Sequence, residues 1–225
     1  MSVYEIEIKS LLGAKEKADE LRTKLRKIDP NTKLLTRHSQ LNHYFINGDR
    51  RKLFNLIAPK LTSLEQEKLR NILEGGTDFS VRTRLTEDKL LFVVKASLNS
   101  DSSHNSVSRL EFEVEILLLT QDKLDQLLHD AGFIYQAKWS REREEYACQD
   151  VTVCLDKNAG YGYIAEFEKV VQDAKGVEQA RRELQAFMKT VGFEELSQER
   201  LERMFAYYNT NWQEYYGTEK IFTIH

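Results

Sequence analysis

Charge at every second position of strand-like segments is the feature that most limits how this chain folds. In YEIEIK near the start, Glu5, Glu7 and Lys9 alternate with Ile6 and Ile8. In a β-strand successive side chains point to opposite faces, so the three charges share one face and the isoleucines the other. The same parity recurs down the chain. Arg82 and Arg84 share a face in VRTR, and Lys95 stands against Val94 and Ala96. Arg109, Glu111, Glu113 and Glu115 oppose Leu110, Phe112 and Val114, while Arg141, Arg143 and Glu145 share a face with Trp139. Asp156 follows VTVCL, and Glu166 and Glu168 flank Phe167. Six or seven strands thus each carry an apolar face that helices must cover and a charged face opposite.

The covering helices are legible. Ala14, Ala18, Leu21, Leu25 and Ile28 recur at helical spacing and stop at Asp29-Pro30-Asn31. TSLEQEKLRNIL over 62–73 has Thr62 or Ser63 as a cap, with Glu65 or Glu67 near its first turn and Gly75-Gly76 after it. Thr120 caps QDKLDQLLHDA, and GVEQARRELQAFMKTV carries the stripe Ala180, Leu184, Phe187, Met188 and Val191, ended by Gly192. SQERLERMFAYYN reads as a shorter last helix, and the aromatic tail beyond it shows no clear period. Segments 33–38 and 42–46 read as two short strands, and SLNSDSSHNS as a polar loop. Three acidic strands (EIEIK, EFEVE and AEFEK) each lead into a helix. With two prolines in 225 residues, a single domain over 1–225 is expected, its motifs spanning 3–170 and its last helices and tail 173–225.

Composition closes some routes. With 33 basic and 36 acidic residues the net charge is −3, so no nucleic-acid partner is expected and an anion site must come from local clustering. No apolar run is long enough to span a membrane, and the expected setting is cytoplasmic. Cys148 and Cys154 read as small packing thiols, since no further Cys or His completes a zinc spacing. His38, His43, His104, His129 and His225 show no paired spacing and read as surface or packing residues.

Two readings of the charged faces remain open on parity alone. An open sheet would turn them to water, as half-buried antiparallel strands commonly do. Here, however, Arg is used in preference to Lys, and charges come in blocks, Glu-x-Glu three times and Arg-x-Arg twice. Crowded carboxylates repel unless a cation lies between them, and crowded arginines repel unless an anion does. A hard divalent metal on the carboxylates and a polyphosphate on the Arg and Lys residues satisfy both sets. Closing the sheet with those faces inward would make a polar tunnel, the favoured reading.

The ordered set of motifs resembles the CYTH family, the triphosphate tunnel metalloenzymes, which include class IV adenylate cyclases and thiamine and inorganic triphosphatases. Glu5-x-Glu7-x-Lys9 matches the family's N-terminal motif, VRTR its Arg-x-Arg strand, FVVKAS its lysine strand and RLEFEVE its Arg-x-Glu-x-Glu strand. SREREEY resembles the later basic strand, and CLDKNAGYGYIAEFE the segment with Asp156, Gly160-x-Gly162 and Glu166-x-Glu168. The resemblance implies an α+β fold, an eight-stranded antiparallel closed β-barrel with helices outside. It assigns Lys9, Arg82, Arg84, Lys95, Arg109, Arg141 and Arg143 to the triphosphate. It assigns Glu5, Glu7, Glu111, Glu113, Asp156, Glu166 and Glu168 to Mg²⁺ or Mn²⁺. Glu5, Glu7, Lys9, Arg82, Arg84 and Lys95 form the expected catalytic group. Glu115, Glu145 and Lys138 read as ordinary surface charges.

What the resemblance implies for chemistry is metal-assisted attack on a phosphorus of a bound triphosphate. Water attacking the terminal phosphorus makes a triphosphatase. The 3′-hydroxyl of ATP attacking the α-phosphorus makes a class IV-type adenylate cyclase, and a barrel that binds without turnover makes a triphosphate or nucleotide sensor. Class IV cyclases carry a His-Phe pair just before Glu-x-Glu-x-Lys. Met1-Ser2-Val3-Tyr4 holds none, so hydrolysis of tripolyphosphate, thiamine triphosphate or a nucleoside triphosphate is the expected reaction. The protein is expected as a monomer or homodimer. The stretch 48–76 and the aromatic tail fall outside the motif set, and packing is the simplest role for the tail.

Overall fold

A computed structural model describes residues 4–87, 89–97 and 109–224. The Ser/Asn-rich stretch from residue 98 onward, with His104, and the final His225 lie outside the described residues. Among the described residues, eight antiparallel strands and six α-helices make an α+β fold. The strands are β1 Tyr4–Gly13, β2 Lys33–Ile46, β3 Thr77–Thr86, β4 Lys89–Ser97, β5 Arg109–Glu115, β6 Ile134–Cys148, β7 Val151–Asn158 and β8 Gly162–Val171. The helices are α1 Lys15–Ile28, α2 Arg50–Ile57, α3 Ser63–Gly75, α4 Gln121–Asp130, α5 Val177–Val191 and α6 Gln198–Tyr215. No helix among the described residues is long and apolar enough to cross a membrane.

The hydrogen-bonded strand order is β1-β8-β7-β6-β2-β3-β4-β5, and the sheet does not close. This corrects the expected closed barrel. Among the described residues β1 pairs only with β8 and β5 only with β4. The outer edge of β1 has another occupant, since the Leu196 N–H donates to the Lys9 carbonyl at 2.7 Å. A strand edge covered by a loop offers fewer groups to a further strand. The segments 33–38 and 42–46 are parts of one continuous strand, β2, which with β6 passes between the two compact units of the chain.

The first unit comprises Met1–Ser39 and Arg141–His225. Its core is made by the apolar faces of β1, β6, β7 and β8 (Ile6, Ile8, Val153, Leu155 and Phe167 among them) beneath α1 and α5. Helix α1 buries Ala18, Leu21 and Leu25, and α5 buries all five residues of its stripe. Gly192 then takes the left-handed conformation at φ 71°, which ends α5 without the steric penalty a side chain would meet. At the β7–β8 turn Gly162 also has positive φ, 70°, and a Cβ there would come 2.2 Å from the Gly13 carbonyl oxygen. Backbone therefore closes on backbone at that turn, which only glycine permits.

Helix α6 is longer than its apolar pattern suggests, and continues through the tail to Tyr215. Tyr208 and Tyr215, two turns apart, are both buried, and they gather with Tyr161 and Phe222. The chain after α6 returns to the β7–β8 turn. Gly160 N–H donates to the Lys220 carbonyl at 3.1 Å, and Phe222 N–H donates to the Gly160 carbonyl at 2.8 Å. The tail thus packs, the simplest role expected for it.

The second unit is Gln40–Ser140, with its own core of Phe45, Leu69, Phe92, Phe112, Leu124 and neighbours under α2, α3 and α4. Helix α2, which the apolar pattern left unread, starts where the Asp49 carboxylate accepts from the Arg51 and Lys52 N–H groups, and it buries Leu53 and Ile57. Thr62 begins α3 in a reciprocal capping box with Glu65. Beneath α4 lies a buried polar knot. Asp125 sits 2.6 Å from His43 Nδ1 and accepts from the Thr83 hydroxyl at 2.6 Å and the Tyr135 hydroxyl at 2.7 Å. Burial pushes the Asp125 carboxyl up, but those three partners outweigh it and hold the group below the usual carboxylate range.

Candidate functional site

In the first unit, register places the charged faces of four strands in rows. Glu145, Cys154, Glu166 and Lys9 align across β6, β7, β8 and β1, and Glu168 pairs with Glu7 and with Thr152. Arg143 pairs with Asp156. The side chains answer this register with a dense charge network. Arg143 grips Asp156 with two parallel bonds, Nε to Oδ1 and Nη2 to Oδ2, each 2.7 Å, and Arg141 Nη1 adds a third at 2.9 Å. The same Arg143 reaches Glu166, whose other oxygen lies 3.0 Å from Lys9 Nζ. Lys9 is also paired with Glu7.

Asp156 and Glu166 are buried, at 1% and 9% exposure, and a buried carboxylate is tolerated only when paired. For Glu166 burial pushes the carboxyl up, yet Lys9, Arg143 and Arg141 outweigh it and keep it ionised far into acid. Desolvation acts the other way on Arg143, and Asp156 and Glu166 hold its proton all the more firmly.

Cys154 lies on this face too. Its core-facing neighbours Val153 and Leu155 belong to the apolar cluster, whereas its own Sγ and carboxylate oxygens of Glu166 and Glu168 all lie within 4.8 Å of one another. Burial above all raises its thiol far beyond the ordinary range. The expected packing role fits Cys148, whose thiol is in the core and donates to the Leu25 carbonyl at 3.7 Å. The placement of Cys154 was available from parity with Asp156 in VTVCLD.

In the second unit the inner row is Tyr44, Arg82, Val93 and Glu113 across β2, β3, β4 and β5. Arg82 is nine-tenths buried, its guanidinium 4.6 Å over the Tyr44 ring and Nη1 donating to the Tyr44 hydroxyl at 3.1 Å. Nη2 is 3.5 Å from the Ser80 hydroxyl, and Nε has no hydrogen-bond partner among the described residues. Arg84 donates from Nε to Asn42 Oδ1 and from Nη1 to Glu113, both at 2.9 Å. Lys95 pairs with Glu111 at 2.9 Å. Tyr44 and Asn42 lacked any sequence signal, because only strand register brings them beside Arg82 and Arg84.

The expected residues thus gather in two sets. Glu7, Lys9, Arg141, Arg143, Asp156, Glu166 and Glu168 belong to the first unit, and Arg82, Arg84, Lys95, Glu111 and Glu113 to the second. The side chains of Glu5 and Arg109 are outside the described ones. Lys138 lies 4.3 Å over the Tyr135 ring, and His43 is a member of the knot on Asp125.

Residues 75–201 match the CYTH domain model, and the chain belongs to the CYTH domain family. A conserved hypothetical protein of Pyrococcus furiosus shares the fold at a TM-score of 0.58 and 19% identity, covering 87% of this chain and 93% of that one. A candidate adenylate cyclase of Vibrio parahaemolyticus does so at 0.56 and 15%, over 89% and 98%. A candidate adenylyl cyclase of Hippeastrum, described with a dominant triphosphatase activity, does so at 0.50 and 18%, over 88% and 95%. No curated protein matches the chain in sequence.

Proposed function

We propose that this protein is a divalent-metal-dependent triphosphatase. The observation that carries the reading is the carboxylate cluster of the first unit in a CYTH chain; the second unit, by itself, offers a buried arginine with an unsatisfied donor. The triphosphatase activity described for the Hippeastrum relative supports hydrolysis over cyclisation.

Arg82, Arg84 and Lys95 are the groups that bind phosphate oxygens. The spare Nε–H of Arg82 matches an anion, and its stacking on Tyr44 fixes the guanidinium plane before a ligand arrives. Glu166 and Glu168 lie together in one donor cluster and Glu7 is the cross-strand partner of Glu168, so the three offer the hard oxygen donors that Mg²⁺ or Mn²⁺ prefers. When bound, a divalent ion neutralises phosphoryl charge and lowers the pKa of bound water. Lys9 holds Glu7 and Glu166 in place, while Arg143 and Arg141 clamp Asp156, so the carboxylates are oriented without ligand. Glu5, Arg109, Glu111 and Glu113 complete the proposed metal and triphosphate contacts.

The test is product analysis with Mg²⁺ or Mn²⁺ on tripolyphosphate, thiamine triphosphate and ATP. Release of orthophosphate is expected. Cyclic AMP with pyrophosphate would replace hydrolysis with cyclisation, and tight triphosphate binding without turnover would make the protein a sensor.

A further inference from the structure

A triphosphatase face built for Mg²⁺ needs only oxygen donors, yet this one holds a thiol. Cys154 is 1% exposed, on the charged side of β7, and Glu166 is its cross-strand partner on β8. Buried polar groups ordinarily find a partner. Cys148 has one, whereas Cys154 makes no hydrogen bond among the described residues, although it faces two carboxylates.

We propose that Cys154, Glu166 and Glu168 form a site for a thiophilic divalent cation of the Zn²⁺ or Co²⁺ class, with the Cys154 thiolate as a ligand. The inference rests on the reading that this face takes a divalent ion, and adds that Cys154 lets it hold a thiophilic ion as well as the Mg²⁺ or Mn²⁺ of that reading.

Geometry supports it. Zn–S bonds of about 2.3 Å and Zn–O bonds of about 2.0–2.2 Å at tetrahedral angles put sulfur and oxygen ligands about 3.6 Å apart. The three donor atoms lie within 4.8 Å of one another, so the ion has to draw them together by about 1 Å or less. Charge supports it as well. Glu145 and Glu166 are the cross-strand partners of Cys154 and Glu168 lies beside them, and a cation among these carboxylates lowers their mutual repulsion. A divalent cation entering as the thiol proton leaves to solvent adds one net positive charge to this acidic row. Mg²⁺ would leave the thiol out, because it takes oxygen ligands and thiolate selects softer ions.

Titrating the full-length protein with Co²⁺ alone tests the site. A thiolate-to-Co²⁺ charge-transfer band is expected in the wild type and in Cys148→Ser, lost in Cys154→Ser, and requiring at least tenfold more Co²⁺ in Glu168→Gln. Alkylation of the wild type, followed by peptide mass, supplies a readout that needs no variant. Zn²⁺ should slow modification of Cys154 by at least tenfold and leave Cys148 unchanged. Absence of the band at saturating Co²⁺, its persistence in a folded Cys154→Ser protein, or unprotected Cys154 would overturn the proposal. Orthophosphate release with Mg²⁺ in a protein lacking the band overturns the thiol ligand alone. A band without any release keeps the site and overturns the triphosphatase reading.

Discussion

The charged faces of the two units use similar residues to opposite ends. In the first, every basic group of the network meets a carboxylate, and the buried acids Asp156 and Glu166 are each held by more than one cation. In the second, Arg84 and Lys95 lean on carboxylates that are about two-fifths exposed, while Arg82 is buried against an aromatic ring with a donor to spare. Burial without a counter-charge is costly, so Arg82 is where an anion gains most. The lesson is that a charged strand face is assigned a ligand by what its neighbours leave unsatisfied, and residue type alone is insufficient.

The largest expected effect comes from breaking the closed network. Glu166→Gln removes one charge and leaves Arg143 with Asp156 and Lys9 with Glu7 as their remaining partners, which should cost about 3 kcal/mol in urea unfolding. A loss below about 1 kcal/mol would mean that the first face is no tighter than the second. Next is the open face. Arg82→Ala should weaken tripolyphosphate binding about 10- to 100-fold by calorimetry, the worth of a charge-assisted bond of about 1.5–3 kcal/mol. Arg82→Lys should fail to restore it, because an ammonium lacks the planar fork. Unchanged affinity would move the anion site elsewhere.

Acid should then reach both units. Glu166 and Asp125 ionise more readily folded than unfolded, so the unfolded chain binds more protons as pH drops. Their stabilisation is complete above the unfolded carboxyl pKa of about 4 and is lost as pH falls through it toward the folded values. Urea midpoints followed into acid should flatten in Glu166→Gln and separately in Asp125→Asn. A pH dependence unaltered by either change would break the assignment.

Smaller effects sharpen the comparison at its margins. Thr62→Ala deletes the α3 cap and should cost about 1 kcal/mol in urea unfolding. Lys138→Ala removes the cation over the Tyr135 ring and should cost no more than about 1 kcal/mol while changing triphosphate affinity by less than about twofold. A tenfold loss there would extend the second face.

Most helices and strands were legible because their cores are amphipathic at the right period: α1, α4 and α5 follow their stripes, and the acidic strands follow their alternation. Helix α2 was missed because only Leu53 and Ile57 are buried in its eight residues, too short a stripe to read. The extension of α6 was hidden because Tyr208 and Tyr215 declare themselves buried only against Tyr161 and Phe222.

What the sequence determined alone is which residues share a face, since strand parity and helix period are properties of neighbours along the chain. It therefore placed Glu7 with Lys9, Arg82 with Arg84 and Glu166 with Glu168. Which faces meet, and how each charge is answered, depended on strand register and closure. Register set Cys154 opposite Glu166 and Tyr44 opposite Arg82, and the cover of Leu196 on Lys9 accompanies an open edge where a barrel was expected. Those contacts join residues far apart in the chain. Their energies depend on burial and pairing, which only tertiary structure decides.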